Sequence, residues 1–275
     1  MILITGHKGY IGSHLYKKLE ELGFDVHGID LKDGNDILEF LPEENFEYIF
    51  HVAANPRVQH SVEQPSHTLK HNVLVTSRVL ELAKKVGAKR VIFSSSSAIY
   101  GDGDGPMSPY GLHKLMSELE CKLYSQLYGV DTVCLRYFNV FSANQLYGGA
   151  YSTVVCAWME MLRQNKYLRV DGSGEQTRDY VHVDDIVDAN IFCMNYEDSF
   201  NGKYFDVGTG TSISINEIKN VVSKYHNAKW HYAPSRIGDA KHTNADIKKL
   251  QDIGWKAKIN SKLLIEKCFK EIKNE

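Results

Sequence analysis

Two short stretches hold the residues whose types and spacing could do chemistry. Near the start, Thr5-Gly6-His7-Lys8-Gly9-Tyr10-Ile11-Gly12 places glycines three residues apart. Between a strand and a helix, such a loop lets backbone N–H groups approach a pyrophosphate while the helix N-terminus adds favourable charge. Further on, Tyr110-Gly111-Leu112-His113-Lys114 sets a tyrosine four residues before a lysine. On a helix the two share one face, about 5–6 Å apart, and the ammonium favours the ionised phenol. A free tyrosine titrates near pH ~10, whereas a general base works best near ambient pH. Lys114 and a cationic nicotinamide ring both pull in the required direction, so the role of Lys114 is electrostatic. Together the motifs point to a bound dinucleotide and a tyrosinate that can take a proton from an alcohol.

The elements that must position these residues are legible as well. Residues 2–5, 25–30, 48–52, 90–95 and 132–136 read as short β-branched strands, and 12–22, 65–86 and 110–128 carry helix-period apolar positions. That alternation predicts an α/β fold with a Rossmann-type doubly wound parallel sheet. Ser94-Ser95-Ser96-Ser97-Ala98-Ile99-Tyr100-Gly101 follows an apolar strand, so its hydroxyls fall at the carboxyl end of the sheet, where ligands bind in this architecture. Asp30 ends the second strand 24 positions after Gly6, where an acidic residue meets the adenosine ribose. A carboxylate there accepts from both ribose hydroxyls and repels a 2′-phosphate, which predicts NAD rather than NADP. After Asn139 a loop rich in Gly, Ser, Asn and Tyr precedes helices at 153–165, 183–194, 215–225 and 262–273. The expected organisation is a cofactor domain at 1–140 and a smaller α/β substrate domain at 141–275, with segments near 177–210 returning to the first.

Composition limits the alternatives. The 275 residues are 43% hydrophobic, enough for a large core. Lys plus Arg (32) nearly balances Asp plus Glu (34) with no long run of either sign, which argues against nucleic acid or an anionic membrane as partner. Cys121, Cys134, Cys156, Cys193 and Cys268 have no metal-ligand spacing and read as reduced core thiols. His51, His113 and His182 read as structural or solvent-facing, so no metal is expected. The chain opens directly into an apolar strand, and no apolar run reaches the ~18 residues of a membrane span; a soluble, cytoplasmic protein is expected.

Further stretches complete a pattern: His51-Val52-Ala53-Ala54, Asn72, Arg136-Tyr137-Phe138-Asn139, Gly174-Glu175-Gln176-Thr177-Arg178-Asp179-Tyr180, Asp206-Val207-Gly208, Arg236-Ile237-Gly238-Asp239 and Gly254-Trp255. Nearly from end to end, the chain resembles the extended short-chain dehydrogenases/reductases of the epimerase/dehydratase group, and most resembles the UDP-hexose 4-epimerases. The resemblance implies that Tyr110 removes the sugar 4-hydroxyl proton while C4 passes a hydride to NAD, after which the 4-keto sugar turns over and takes the hydride back on its other face. It assigns catalysis to Ser96, Tyr110 and Lys114. NAD contacts fall to Gly6, Gly9, Tyr10, Ile11, Gly12, Asp30, Asp36, Ile37, Val52, Ala53, Ala54, Asn72, Ser94, Tyr110, Lys114 and Tyr137. Substrate contacts fall to Ser96, Asn139, Arg178, Arg236, Asp239 and Thr243; arginine suits the diphosphate because its planar fork pairs with phosphate oxygens.

The same resemblance separates the relatives. Dehydratases carry Asp and Glu directly after the catalytic hydroxyl, and the decarboxylases share the Glu; here Ser97 and Ala98 stand there. Glucuronate epimerases need a cation for the substrate carboxylate, yet 140–162 holds no Lys or Arg, although Arg57 could reach the site. Thr243 occupies a position where a bulky tyrosine narrows some 4-epimerases, and Gly148-Gly149-Ala150-Tyr151 resembles the loop of epimerases acting on N-acetylhexosamines; a 2-acetamido sugar is thereby allowed. Two segments are shorter than usual for the family: Asp30 to His51 spans only 21 positions, and Tyr100 to Tyr110 only ten, leaving Gly101-Asp102-Gly103-Asp104-Gly105-Pro106 as a flexible turn. A homodimer through 65–86 and 110–128 is implied, with Met116, Leu119 and Leu123 either at that interface or in the core, the more common fate. The alternatives are another nucleotide-sugar enzyme of the group, such as a glucuronate epimerase, decarboxylase or 4,6-dehydratase, and a non-catalytic NAD-binding scaffold.

Overall fold

Strands buried on both faces read as unbroken apolar runs, because the helices that connect parallel strands cover the sheet from either side. The computed structural model describes residues 1–143, 145 and 153–272; the loop 148–151 lies outside them. The first part of the chain forms β1 (Ile2–Thr5), α1 (Tyr10–Glu21), β2 (Val26–Ile29), β3 (Tyr48–His51), α2 (Val58–Glu63), α3 (Pro65–Leu69), a π-helical turn (Lys70–Leu74), α4 (Val75–Val86), β4 (Arg90–Ser96), α5 (Pro109–Tyr128) and β5 (Thr132–Tyr137). There follow β6 (Asn139–Phe141), α6 (Val154–Arg163), β7 (Leu168–Asp171), β8 (Thr177–His182), α7 (Val183–Asn195), β9 (Lys203–Val207), β10 (Ser212–Ser214), α8 (Ile215–Tyr225), β11 (Trp230–Ala233), α9 (Lys248–Asp252) and α10 (Ser261–Lys270).

Six strands form one parallel sheet in the order β2-β1-β3-β4-β5-β9. The order reverses at β1, which pairs with β2 on one side and β3 on the other. Such a reversal opens a crevice beyond the strand carboxyl ends. Strand alternation divides the core: Ile92, Val133 and Leu135 pack toward α1 and α7, while Val91, Phe93 and Cys134 pack toward α4 and α5. Ile37 and Phe46, from the short β2–β3 connection, complete the second layer. A third cluster lies among α6, α8, α10 and two small sheets, β10-β8-β6 and β11-β7. All five cysteines are buried and unpaired, and no helix among the described residues is long and apolar enough to cross a membrane.

Two elements differ from the sequence pattern. Helix α1 starts at Tyr10 because Gly9, with extended backbone, is its N-cap. The stretch 65–86 is not one helix but α3, the π-helical turn and α4, preceded by the unforeseen α2. The widened turn carries Asn72, whose Oδ1 accepts from the Asn55 N–H (2.7 Å) and whose Nδ2 donates to the Asn55 carbonyl (3.1 Å). A π-helical turn inserted in a helix commonly marks a functional region; here it fixes the backbone that follows β3.

That backbone is also fixed from below by a directional hydrogen-bond chain. The Ala53 N–H donates to Thr5 Oγ1 (3.2 Å), Thr5 Oγ1 meets His51 Nδ1 (2.7 Å), His51 Nε2 meets Thr76 Oγ1 (3.1 Å), and Thr76 Oγ1 donates to the Asn72 carbonyl (2.7 Å). Since Thr76 gives its proton to a carbonyl, it must accept from His51 Nε2–H, which leaves Nδ1 as acceptor from Thr5. Only neutral His51 satisfies every bond, and burial accordingly pulls its pKa down to about 3. The unfolded chain takes up a proton near pH ~6.5 that the folded chain refuses. Stability should therefore fall as pH drops from about 6.5 toward 3, by up to about 1.4 kcal/mol per pH unit from this residue. Urea unfolding at pH 7 and pH 4.5 should show that slope, and His51→Asn should flatten it.

Candidate functional site

A cavity of about 1040 Å³ runs across the carboxyl ends of β1 to β5. One end is backbone. Gly6 has φ +75°, and a Cβ there would come within 2.7 Å of the Ala53 nitrogen; a Cβ on Gly12 would lie 2.1 Å from the Gly6 carbonyl oxygen. These two glycines let the loop fold onto β3 and onto itself. Gly9 is different, since a Cβ there would meet only the Gly6 oxygen at 3.1 Å and otherwise open space. No side chain caps α1, so the positive end of its dipole faces the cavity, where it favours an anion. Asp30 stands beside this loop with its carboxylate fixed by the Lys8 N–H on Oδ2 (3.0 Å) and the Lys32 N–H on Oδ1 (2.9 Å). Asp36 and Ile37 line the same end. Bare backbone, an uncapped helix and an oriented carboxylate fit a dinucleotide.

At the other end α5 delivers the tyrosine and lysine. Its start is set by Ser108, whose Oγ accepts the Gly111 N–H (3.2 Å), and by Pro109 in the first turn; this is a strong N-terminal signal. The Tyr110 N–H donates to Ser61 Oγ (3.0 Å), a contact supplied by α2. Burial pushes the Tyr110 phenol up to about 12, and a hydrogen bond with Ser96 acts in the opposite sense. Lys114 is buried with its Nζ donating to the Ser94 carbonyl (2.6 Å), and burial pulls its pKa down to about 8. The sequence pattern suggests that Lys114 and a cationic nicotinamide ring hold the phenol ionised. In the structure the lysine is committed to a strand carbonyl and burial dominates the phenol, so Ser96 and the charge of a bound nicotinamide must supply the rest. Ser94 Oγ also meets Tyr137 OH (3.1 Å), which accepts from Asn190 Nδ2 (2.7 Å).

Of the residues singled out from sequence, Gly6, Gly9, Tyr10, Ile11, Gly12, Asp30, Asp36, Ile37, Val52, Ala53, Ala54, Ser94, Ser96, Tyr110, Lys114, Tyr137, Asn139, Arg178, Asp239 and Thr243 all line the cavity. Arg178 is half-committed: it donates to the Thr177 and Lys241 carbonyls (2.8 and 3.1 Å) and pairs with Asp239 (2.9 Å). Two residues lie off the wall. Asn72 acts through Asn55, as described above, and Arg236 pairs with Asp171 (2.8 Å). His60, His67, His71, Lys8 and Gln145 also line the cavity; they are polar positions that neither the motif glycines nor the apolar periodicity of their segments singles out. The Gly101–Pro106 turn is tied down rather than loose: Gly103 and Gly105 donate to the Tyr100 carbonyl (2.9 and 3.2 Å), and Asp102 accepts from the Lys241 N–H (2.5 Å). His51 and His113 are buried, and His182 caps α7.

Fold and cavity define a Rossmann-type α/β protein with a cavity that fits a dinucleotide. By sequence, the chain belongs to the NAD dependent epimerase/dehydratase family, whose model matches residues 2–208. It is 32% identical over 306 aligned positions to a putative UDP-glucose 4-epimerase of Methanocaldococcus jannaschii, covering 100% of this chain and 99% of that one. It is similar to the structure of a UDP-glucose 4-epimerase with UDP-glucose from Thermotoga maritima (TM-score 0.85, 30% identity, 98% and 96% of the two chains). It is similar too to a UDP-N-acetylglucosamine 4-epimerase from Methanobrevibacter ruminantium in complex with UDP-N-acetylmuramic acid (TM-score 0.84, 28% identity, 98% and 96%).

The glycine loop yields a direct test. Gly12→Ala should abolish NAD binding, because the Gly6 carbonyl cannot retreat without displacing the loop. Isothermal titration with NAD checks this, and Lys17→Ala, exposed on the same helix and off the cavity wall, should bind as the parent does.

Proposed function

We propose that the protein is a nucleotide-sugar 4-epimerase that uses NAD to invert C4 of a UDP-hexose through a transient 4-keto sugar. The observation that carries this reading is Tyr110 hydrogen-bonded to Ser96, with Lys114 one helical turn away, at the far end of a cavity whose near end fits a dinucleotide. NAD, when bound, supplies the hydride acceptor and donor. The chain's own groups handle the proton: Tyr110 takes it from the sugar O4 and returns it after the ring has turned, and Ser96 holds the same oxygen. Both hydrogen-bond to one oxygen, so neither needs to know which face of the sugar is presented.

Elimination chemistry is disfavoured by the same wall. Among the described residues that line the cavity, the carboxylates are Asp30, Asp36 and Asp239. The first two belong to the dinucleotide end, and the third is paired with Arg178. The residues after Ser96 are Ser97 and Ala98, so no acid stands ready to remove water from C5 and C6. Arg178 and Asp239 lie where a uridine diphosphate would pass, and Asp30 favours NAD over a 2′-phosphorylated cofactor. Thr243 Oγ1 is buried in the wall with no partner among the described residues, which leaves a hydroxyl and the space of a small side chain for a 2-acetamido group.

Proton NMR of the anomeric region tests the reading. With NAD present, UDP-galactose and UDP-GalNAc should each convert to their C4 epimers; Arg57 lines the cavity, so conversion of UDP-glucuronate as well would favour the glucuronate 4-epimerase alternative. Tyr110→Phe should lower kcat by about 10²–10⁴-fold while NAD remains bound; unchanged turnover would remove the proposed base.

The reading includes a homodimer built on α5. Leu112, Met116, Leu119, Leu123 and Leu127 fall on one helical face and are 37–63% exposed, so Met116, Leu119 and Leu123 are not core residues. The opposite face carries Tyr110, Lys114 and Cys121 into the interior. A second copy covering the stripe would relieve its contact with water. Sedimentation equilibrium should report a dimer for the parent and a monomer for Leu119→Glu with Leu123→Glu.

A further inference from the structure

The face of α5 that carries Tyr110 and Lys114 continues, four residues on, to Glu118, a buried carboxylate that no step above uses. Strand alternation explains its partner. Along β4, Ser94 directs its side chain to Tyr137 and Ser96 bonds Tyr110, whereas the intervening Ser95 points toward α5 and donates to Glu118 Oε1 (2.5 Å). Ser95 pairs in register with Arg136 on β5. That arginine closes a fork on the same carboxylate, with Nε donating to Oε1 (2.9 Å) and Nη2 to Oε2 (2.6 Å). Its guanidinium stacks on Tyr204 (3.5 Å) and Tyr100 (4.8 Å), and Tyr100 OH donates to Asp206 Oδ1 (2.7 Å).

We propose that Glu118 is a positioning residue for the Tyr110–Lys114 pair, acting through Ser95 and Arg136 to hold the end of β4 against α5 so that the Lys114 ammonium stays on the Ser94 carbonyl. Three observations support it. Ser95 lies between the residue whose carbonyl receives Lys114 and the residue that bonds the phenol, so its single hydrogen bond to Glu118 fixes both neighbours. A bidentate arginine–carboxylate fork is directional as well as strong, which a merely space-filling pair would not need. Glu118 also lies within electrostatic reach of Lys114 and acts to keep it charged. The titratable groups that act on Lys114 are Glu118 and Cys121 from α5 and Cys134 from β5, and neutral His51 of β3 lies within its field. Glu118 is the carboxylate of that set, and its charge acts against the desolvation of the ammonium.

The inference rests on the proposed epimerisation, and the test separates the two. In the full-length protein with NAD and a UDP-hexose, Glu118→Gln should lower kcat by about tenfold or more with KM little changed. It should also move the alkaline limb of the kcat profile, where Lys114 loses its proton, to lower pH by about half a unit or more. Ser95→Ala should lower kcat and move that limb less than Glu118→Gln does, since it loosens the tether and keeps the charge. Glu118→Leu with Arg136→Met replaces the ion pair by apolar groups of similar size and guards against a variant that does not fold. Its kcat should stay low; parental kcat in this double variant would show that the pair only fills space and would overturn the inference. Lys114 can also be titrated without turnover, from the ε-carbon NMR signal of lysine-labelled protein assigned with Lys114→Met. An unmoved titration in Glu118→Gln overturns the positioning role even if no sugar is turned over, whereas a parent protein silent on every UDP-hexose overturns only the epimerase reading.

Discussion

A lysine ammonium removed from water is the constraint around which the centre of this molecule is organised. Taking a charge out of solvent costs several kcal/mol unless hydrogen bonds and opposite charge compensate. At Lys114 the compensation comes from three elements at once: the Ser94 carbonyl of β4, Glu118 one turn along α5, and the Arg136 of β5 whose two hydrogen bonds hold Glu118 in place. Because these contacts join α5 to two adjacent strands, they also fix where Tyr110 stands relative to Ser96. The chemistry and the packing of the sheet are therefore one problem with one solution.

At the dinucleotide end the constraint is the opposite one, an absence of side chains. Gly6 and Gly12 allow backbone to lie against backbone, and Gly9 leaves a helix N-terminus open. The backbone after β3 that faces this loop has no regular structure of its own, so it is held by side chains on both sides. Thr5, His51 and Thr76 support Ala53 from one side, and Asn72 grips Asn55 from the other. The short β2–β3 connection supplies two core plugs, Ile37 and Phe46, which close that side of the sheet. In the same way the short Gly101–Pro106 turn is anchored to Tyr100 and Lys241, and so stays attached to the wall that carries Arg178 and Asp239.

Similarity to epimerases acting on UDP-glucose and on UDP-N-acetylglucosamine is about equally strong, so overall likeness does not select the sugar. Selection has to come from individual wall residues. Thr243, small and with an unsatisfied hydroxyl, and Arg57, a cation on the cavity wall, are features of this chain that bear on it.

The sequence by itself determined whatever depends on near neighbours along the chain. The Gly6–Gly9–Gly12 loop, the Ser108–Pro109 start of α5, the Tyr110–Lys114 spacing and the alternation of apolar runs are local patterns, and each implies its geometry through helix or strand periodicity. The tertiary structure decided what depends on residues far apart in the chain meeting in space. Arg236 carries a motif yet sits on Asp171 instead of the cavity, since loop direction is set by packing against β7. Met116, Leu119 and Leu123 have the composition of core but face outward, because α5 has already spent its other face on the sheet. His51 looks like any strand residue until Thr5 and Thr76 flank it. Glu118 continues the spacing of Tyr110 and Lys114 in plain sight, but its meaning appears only when Ser95 and Arg136, from neighbouring strands, close on its carboxylate.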